Sequence, residues 1–582
     1  MNGVLTRVAG RLRDRYDVVA GISRLLALAC LVGLVGVLPW LSGKDPALTI
    51  LRATSSDREP TPEVLESIRR SIGIDGGPLH VIGHWLAGLT RGDLGRSWVS
   101  GAAVGPEAVD AFGVSLSLMA AALGVGLVIA AALVLPALRD GLRGRPRTRG
   151  GAVSAVLISL PEYLLAPILM LVLAVYLRIL PPFGWGSPEK VIMPALSLGL
   201  PTGGYLGGLV SDAVTATFSE RWVATWSTAG IRGRALAGAV LRRALTPLAR
   251  QMALVVVALT GGAVAVEKIF AIPGLGRELL DAATAQDVPA LQAQILLLLA
   301  LALTAGVIAG VAGRLLMGQA AGAGGLSAPP PVRHSGQAAR IIAGVGAGLL
   351  AAMVAWGIGR DPYTVVADKL QHPSVALPLG SDSLGRDVLA RVAHGAVSTV
   401  TSAVVVTVVC FVIALLVGLA PRAATGFIEV ANAAPPVLAG LIVAGVLGPS
   451  ATGAAIAVAG VGWAPLASHA AGLVAENRQR PDVLLAPVLG EGRVRIALTR
   501  IVPAVVGPLA RHAALRLPGK ALALAGLGFL GLGAQSPTPE WGLVLSDALP
   551  YIERAPWAVA TPAAALVVLS VTAVAASRSA RR

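Results

Sequence analysis

Leu484 to Pro503 reads LLAPVLGEGRVRIALTRIVP, a polar, arginine-bearing island with long apolar runs on both sides. Gly490 offers a turn, Arg493, Arg495 and Arg500 follow it, and Pro503 closes the stretch. Ala224 to Pro247, ATWSTAGIRGRALAGAVLRRALTP, is a second island of the same design, with Gly230, then arginines, then Pro247. Both are expected to be short amphipathic helices broken by Gly and ended by Pro. Each lies between apolar segments long enough to cross a bilayer, for which about 20 residues are needed. The protein is therefore expected to act through two loops that interrupt a membrane-embedded chain.

Composition supports the embedding. Of 582 residues, 55% are hydrophobic and only 13% charged, and the mean hydropathy is +0.75. That places the chain among polytopic membrane proteins. A net charge of +16 raises nucleic acid as a partner, but no basic patch is interleaved with aromatics, so none is expected. The arginines instead cluster in short segments between apolar runs, as the positive-inside rule requires. Cys30 and Cys410 both fall inside expected spans, so a structural disulfide is not expected. Arg7, Arg11, Arg13, Arg15 and Arg24 precede an apolar run without a small-residue cleavage site, which reads as an uncleaved first span entering from the cytoplasm.

Twelve spans are expected, at about 24–42, 113–136, 151–177, 191–213, 248–270, 289–315, 339–358, 396–420, 428–449, 452–475, 504–530 and 556–576. With both ends inside, the arginines of 139–149, 232–243, 493–500 and 578–582 all fall on one side. The outer side then receives an insert at about 43–112, in which Thr61-Pro62-Glu63 marks a helix start. Residues 317–338, rich in Gly, Ala, Pro and Ser, read as a flexible cytoplasmic linker. They divide the chain into halves at 1–316 and 339–582.

The halves share landmarks in one order. Leu94-Gly95-Arg96 returns as Leu384-Gly385-Arg386, 290 residues on; Gly230 returns as Gly490, 260 on; Leu275 returns as Leu532, 257 on. Six spans per half means that the copies point the same way, as parallel repeats related by an axis along the membrane normal.

With these motifs in view, the chain resembles the B-type and C-type permease subunits of a dipeptide/oligopeptide/nickel ATP-binding cassette importer, fused head to tail. The first half carries the resemblance in GKDPAL (43–48), RGDLGRSW (91–98), VEKIFAIPGLGRELLDA (266–282) and Asp287-Val288-Pro289. The second carries it in LGSDSLGRDVLARVAHG (379–395), VLGPS (446–450), GFLGLGAQSPTPEWG (528–542) and Ala555-Pro556-Trp557. The resemblance implies an all-α, type I importer-like fold in the cell membrane, with two cytoplasmic ATPase domains and an extracytoplasmic solute-binding protein as partners. It also implies a peptide or similar small solute as cargo, and ATP held by the partner rather than by a cofactor site on this chain. The islands match the family's coupling loops, in which a short helix docks into a groove on the ATPase. The residues that carry over are Ala224, Gly230 and Pro247 in one and Ala486, Gly490, Ile496 and Pro503 in the other. The usual Glu-Ala-Ala triplet is replaced by Leu484-Leu485-Ala486, and Trp226 stands where Ala is common.

Other residues admit two readings each. Gly95, Arg96, Gly385 and Arg386 are structural turns before a span or contacts at an external mouth. Gly274, Gly276, Gly531, Gly533 and Trp541 belong to the same mouth, or to Gly-rich turns with Trp541 anchored at the interface. His512, Arg516 and Lys520 follow at intervals of four beside Arg511, so three of them share a helix face. They line a path for an anionic group, or the span begins after Pro518-Gly519 and they snorkel at the interface. His80 and His84, four apart, suggest a metal site or an ordinary amphipathic helix. Glu162, Glu267 and Glu429 read as markers of span ends. No Gly-x-x-x-x-Gly-Lys-Ser/Thr loop occurs, so the chain is read as a transport permease and not as the ATPase. Rival readings are an ion-gradient-driven secondary transporter and a non-transporting scaffold whose coupling loops have decayed.

Overall fold

A computed structural model describes residues 59–71, 77–145, 151–158, 160–285, 287–317 and 336–579, with isolated positions before residue 52. Nearly all of the expected first span and of the 317–338 linker lies outside the described residues. Everything regular among the described residues is helical, with three isolated antiparallel bridges and no strand. Composition dictates this: hydrocarbon leaves no water to satisfy N–H and C=O groups, so each apolar run closes its own hydrogen bonds.

The two halves repeat one series of elements. A long helix, Val104–Leu142, is matched by Val388–Gly418. A proline-broken pair comes next: Gly151–Ile158 with Glu162–Leu169 in the first half, Pro421–Ala433 with Pro436–Leu447 in the second. Pro161 and Pro435 sit at the break with nearly equal dihedrals (φ −60, ψ 147 and φ −64, ψ 142). Proline holds φ there and offers no N–H, so the chain must restart its ladder. Pro188–Phe218 then matches Ala451–Gly462 plus Ala464–Arg478, and the short Arg221–Thr228 matches Pro481–Leu485. Gly233–Leu245 and Ala249–Ile269 match Arg493–Ile496 and Val502–Leu530. The series closes with Leu275–Ala285 and Val288–Met317, against Trp541–Ala548 and Pro556–Ser579.

Among the described residues seven helices are long and apolar enough to cross a membrane, or eight if the pair bent by 95° at 432–436 is one span. The expected spans at 191–213 and 248–270 fall on helices of 31 and 21 residues. The expected span at 151–177 is broken at Pro161 and continues as a π-helical segment, Met170–Tyr176. Thr61 does precede a helix, Pro62–Ser71, but the first long helix already begins at Val104 rather than 113, where the Val104 N–H donates to the Gly95 carbonyl at 3.0 Å.

By internal contacts the chain forms two compact units, and each draws on both halves. One contains 282–293 and 397–538 with residues up to 105; the other contains 106–281, 294–396 and 539–582. In the latter, Pro188–Phe218 packs through glycine rows. Gly199, Gly203 and Gly207 recur every four residues and face Val125, Ile129 and Leu133 of Val104–Leu142. A Cβ at these glycines would meet those side chains at 2.7, 2.6 and 2.7 Å. Gly204, one step round, faces Leu157 at 2.5 Å, and Ser154 Oγ donates to the Gly204 carbonyl at 2.8 Å. Small residues at this spacing allow the close backbone approach on which helix association in lipid depends. Gly203→Leu should therefore overpack this contact and lower stability by about 1–3 kcal/mol. Thermal unfolding in detergent checks it: the melting temperature should fall, whereas an open position such as Gly124, with no atom within 4 Å of its missing Cβ, should tolerate Ala.

Candidate functional site

The two islands fold alike. Arg221–Thr228 ends in a turn where the Gly230 N–H donates to Ser227 O at 3.2 Å and the Ile231 N–H donates to Trp226 O at 2.9 Å. After Pro481–Leu485, Gly490 N–H donates to Pro487 O at 3.1 Å and Glu491 N–H to Ala486 O at 3.1 Å. Every donor and acceptor is displaced by 260 residues. The pattern is the paired 6→1 and 5→2 closure that ends a helix on a left-handed residue. Gly230 (φ +85) and Gly490 (φ +80) supply that residue, and no atom lies within 4 Å of a Cβ at either. Glycine is needed here for its dihedral, not for space.

Burial repeats too. Val223 and Val483 are buried at matching positions, as are Leu236 and Ile496. Leu236 with Val240 and Ala244 joins a core of Val134, Val210 and Phe218, which roots the first loop in the ends of two long helices. Trp222 stands edge-on to Trp226 at 5.3 Å and donates through Nε1 to Glu220, which Arg243 also grips at 3.1 Å. In the second loop Arg500 pairs with Glu491 at 2.6 Å and donates to the Asp482 carbonyl at 3.1 Å. The Arg500 hydrogen bond holds the Glu491 carboxyl below its usual range. Ala224 is exposed, whereas Ala486 is buried under its turn. Trp226 faces outward in one loop and Leu484, Leu485, Val488 and Leu489 in the other, the last two 82% and 75% exposed.

The prolines differ. Pro247 sits in a 3-10 turn, Thr246–Leu248, between two helices. Pro503 does not end its loop, contrary to expectation: helical structure runs unbroken from Arg493 to Leu530. A π-helical segment at Ala497–Ile501 widens the ladder just before it, with Val502 N–H reaching back to Ala497 O. The wider turn accommodates a residue that has no N–H to give.

The expected external segments are built as turns. Gly95 (φ +90) and Gly385 (φ +85) are left-handed. Arg96 is exposed and donates to the Gly101 carbonyl at 3.3 Å. Arg386 is buried, so it is not a contact at a mouth: its Nε donates to Asp382 at 2.7 Å, and Arg391, also buried, grips the same oxygen at 2.5 Å and lies 3.5 Å from Asp547. Burial pushes the Asp382 carboxyl up, but the Arg386 N–H and the Arg391 guanidinium outweigh it and the net shift is downward. Gly274 and Gly276 wrap a buried carboxylate, Glu267, which accepts from Ser115 Oγ at 2.5 Å and from the Arg277 N–H at 3.0 Å. Glu267 does lie near the end of its helix, Ala249–Ile269, but it is buried rather than interfacial. Gly531 (φ +82) ends its helix with the same 6→1 closure, Leu532 N–H to Leu527 O at 2.9 Å, and Gly533 packs on Gly528. Trp541 is not an interfacial anchor. It is fully buried, with Nε1 donating to Val392 O at 2.8 Å, because Gly395 leaves the space that its ring occupies.

Comparison with known proteins accords with this duplicated architecture. The family described as binding-protein-dependent transport system inner membrane component matches residues 141–317 and again 403–579, two segments of equal length displaced by 262 residues. The chain belongs to this family. It is similar to the di/tripeptide transport system permease protein DppC of Pseudomonas aeruginosa, 33% identical over 234 residues, which are 38% of this chain and 77% of the relative. It is similar to the glutathione transport system permease protein GsiC of Pectobacterium atrosepticum, 31% identical over 285 residues, 47% and 90% of the two chains. The nickel transport system permease protein NikC of Escherichia coli is 31% identical over 233 residues, 38% and 83%. The chain is accordingly a fused, dipeptide/oligopeptide/nickel-type permease of the inner membrane, with its ATPase on separate subunits.

In this permease His512, Arg516 and Lys520 lie on one continuous helix, Val502–Leu530, which contains Pro518. The helix is therefore not interrupted at Pro518-Gly519. The structure adds His469, whose ring stacks on that of His512 at 4.2 Å; its distance in sequence gave no sign of it. His80 and His84 share the helix Gly77–Thr90, and among the described residues no group of His, Cys, Asp or Glu could hold a metal.

Two outcomes follow from the carboxylates. Arg391→Met leaves Asp382 with one buried partner and should cost on the order of 3 kcal/mol, read from thermal unfolding of the detergent-solubilised permease. Glu278, in the short helix Leu275–Ala285, is raised to about 7 by burial, reinforced by Glu107, Asp281 and Asp110. The folded state then binds more protons than the unfolded one, so this group's contribution to stability falls as pH rises from the ordinary carboxylate range to about 7. Glu278→Gln should flatten that decline in melts taken across the same window.

Proposed function

We propose that the permease moves a peptide or similar small solute inward by alternating access, driven by two cytoplasmic ATPase domains and loaded by an extracytoplasmic solute-binding protein. Both termini and the 317–338 linker between the halves are placed in the cytoplasm, where the arginine-rich loops would lie. No nucleic acid takes part, and no cofactor is assigned to this chain; ATP binds the partner. The names of the relatives, which speak of di- and tripeptides, glutathione and nickel, support small solutes of this kind.

One observation carries the coupling role: two loops, 260 residues apart, close the same left-handed turn and leave apolar groups exposed around it. An exposed apolar patch on a turn that is rooted in long helices is suited to a partner's groove, and a rigid root passes a partner's movement on to the spans. Ala224, Gly230 and Pro247 belong to one docking loop and Ala486, Gly490, Ile496 and Pro503 to the other, with Ala486 and Ile496 buried beneath its surface. Gly95, Arg96, Gly274, Gly276, Gly385, Gly531 and Gly533 shape the external end. The secondary-transporter reading needs ion-binding pairs that serve transport, and the scaffold reading needs a loop that has lost its shape.

Reconstituting the chain with candidate ATPase subunits tests this: vesicle uptake should require ATP, and uptake driven by a proton gradient without nucleotide would overturn it. Gly490→Pro removes the N–H that bonds Pro487 O and cannot adopt φ +80, so ATP-dependent uptake should be lost with membrane insertion intact. Gly490→Asn, which tolerates the left-handed region, should retain most of it.

A further inference from the structure

Arg391 lies in the first turn of the long helix Val388–Gly418 and is only 1% exposed, yet it is met on one side alone. Its Nη1 and the Nε of Arg386 donate to the same Asp382 oxygen, at 2.5 and 2.7 Å. The other Asp382 oxygen takes the N–H groups of Leu384 and Arg386, both at 2.9 Å. Both oxygens are thus engaged, and Arg391 Nε and Nη2 have no hydrogen-bond partner among the described residues. Those two nitrogens form an edge of the guanidinium that a carboxylate takes through two parallel bonds. Buried donors left unmet are costly.

Asp547 faces this edge. Its Oδ2 stands 3.5 Å from Arg391 Nη2, near enough to attract and too far to bond well. Beside the two is a space for about one water-sized group, walled by Val388, Val544, Ala548 and Ala558. Asp547 and Ala548 end the helix Trp541–Ala548, which is held unevenly. Its first turn is fixed: Trp541 Nε1 donates to Val392 O at 2.8 Å, and Glu540 accepts from the Gly542 and Leu543 N–H groups at 2.9 and 3.0 Å. Its last turn borders the cavity and passes into a 3-10 turn, Leu549–Tyr551, with Glu553 and Arg554 exposed beyond it. A pivot on Trp541 that moves the far end by about 0.7 Å brings Asp547 from 3.5 Å to a charge-assisted bonding distance of about 2.8 Å and shrinks the cavity.

We propose that Asp547 and Arg391 form a latch with an open and a closed seating, which fastens the last turn of Trp541–Ala548 to the start of Val388–Gly418. The open seating is the one described above; in the closed one Asp547 takes the Nε and Nη2 edge of Arg391. The latch responds to protons. Arg391, Arg386 and Asp382 act on the Asp547 carboxyl, and in the open seating burial outweighs the two arginines and holds it above the usual aspartate range. Two bonds from Arg391 in the closed seating favour the charged form and bring it down. A proton therefore favours the open seating, and the latch closes as pH rises out of the ordinary aspartate range. Its place at the external end rests on the reading of the chain as an importer permease, in which it biases how that end opens.

The test uses the full chain in nanodiscs and follows amide hydrogen exchange of residues 545–551 at about pH 4 and about pH 7, with rates divided by those of the unstructured peptide so that the chemistry of exchange cancels. These amides exchange when the last turn lifts. Their protection should rise at least about tenfold from acid to neutral pH, while that of Pro556–Ser579 stays level. Asp547→Asn, which keeps the shape and removes the charge, should abolish the rise. Arg391→Lys, which keeps a positive charge and removes the fork, should abolish it too. Equal protection at both pH values in the unmodified chain, or a rise that survives in Asp547→Asn, would overturn the latch. A rise that survives in Arg391→Lys reduces it to a simple charge pair and equally overturns it. Neither nucleotide nor solute is present, so failure here is separate from failure of ATP-dependent uptake.

Discussion

At each helix end this chain must find partners for the last carbonyls of the helix. It does so repeatedly by one device: the residue after a left-handed glycine donates to a carbonyl five positions earlier. Ile231 closes on Trp226, Glu491 on Ala486 and Leu532 on Leu527. The two loops between spans depend on that closure for their shape, and their shape decides which side chains point outward. A substitution that changes the dihedral therefore acts on the loop as a whole, whereas one that changes an outward side chain leaves the turn standing.

The same economy governs packing. Lipid is as apolar as leucine, so helices gain little by hiding leucines from it and associate instead through close backbone approach. Gly199, Gly203 and Gly207 provide that approach on one side of Pro188–Phe218, and Gly204 provides it on another. Two sets of buried polar groups are held by one another. Asp382 with Arg386 and Arg391 forms one, and Glu267 with Ser115 and the Arg277 N–H forms another.

Much of the fold was legible in the sequence, because apolar run length and arginine placement are strong local signals. The described parts of the expected spans are mostly helical, with breaks at Pro161 and Pro435, the helix after Thr61 starts where its cap indicates, and the 260-residue displacement of Gly230 and Gly490 reappears in both backbone hydrogen bonds that close the two turns. What escaped was set by tertiary contact. Trp541 looks like an interfacial anchor until Gly395 opens a space for it, and Arg386 looks exposed until Asp382 is seen beside it. Pro503 looks like a terminator because the π-helical segment that absorbs it has no sequence mark of its own. The glycine rows were the one signal present in the sequence and not read: a repeat of four within an apolar run indicates a packing face.

The departure of the second loop from its family's triplet bears on what the loop has kept. Leu484-Leu485-Ala486 lacks the acidic residue expected at its start, yet Glu491, just past the turn, bonds Arg500 and ties the turn to the following helix. The acid has in effect moved from the face that a partner would meet to the hinge that holds the loop. The outward face has become apolar at Leu484, Leu485, Val488 and Leu489, with Trp226 the matching bulky group in the first loop. In the proposed reading, a partner groove that accepts this loop must itself be more apolar than one that reads a carboxylate. Association would then rest on burial, which is insensitive to salt, rather than on charge pairing, which salt screens. A decayed loop would show neither feature, since nothing would preserve a left-handed glycine and its two closures at the same displacement in both repeats.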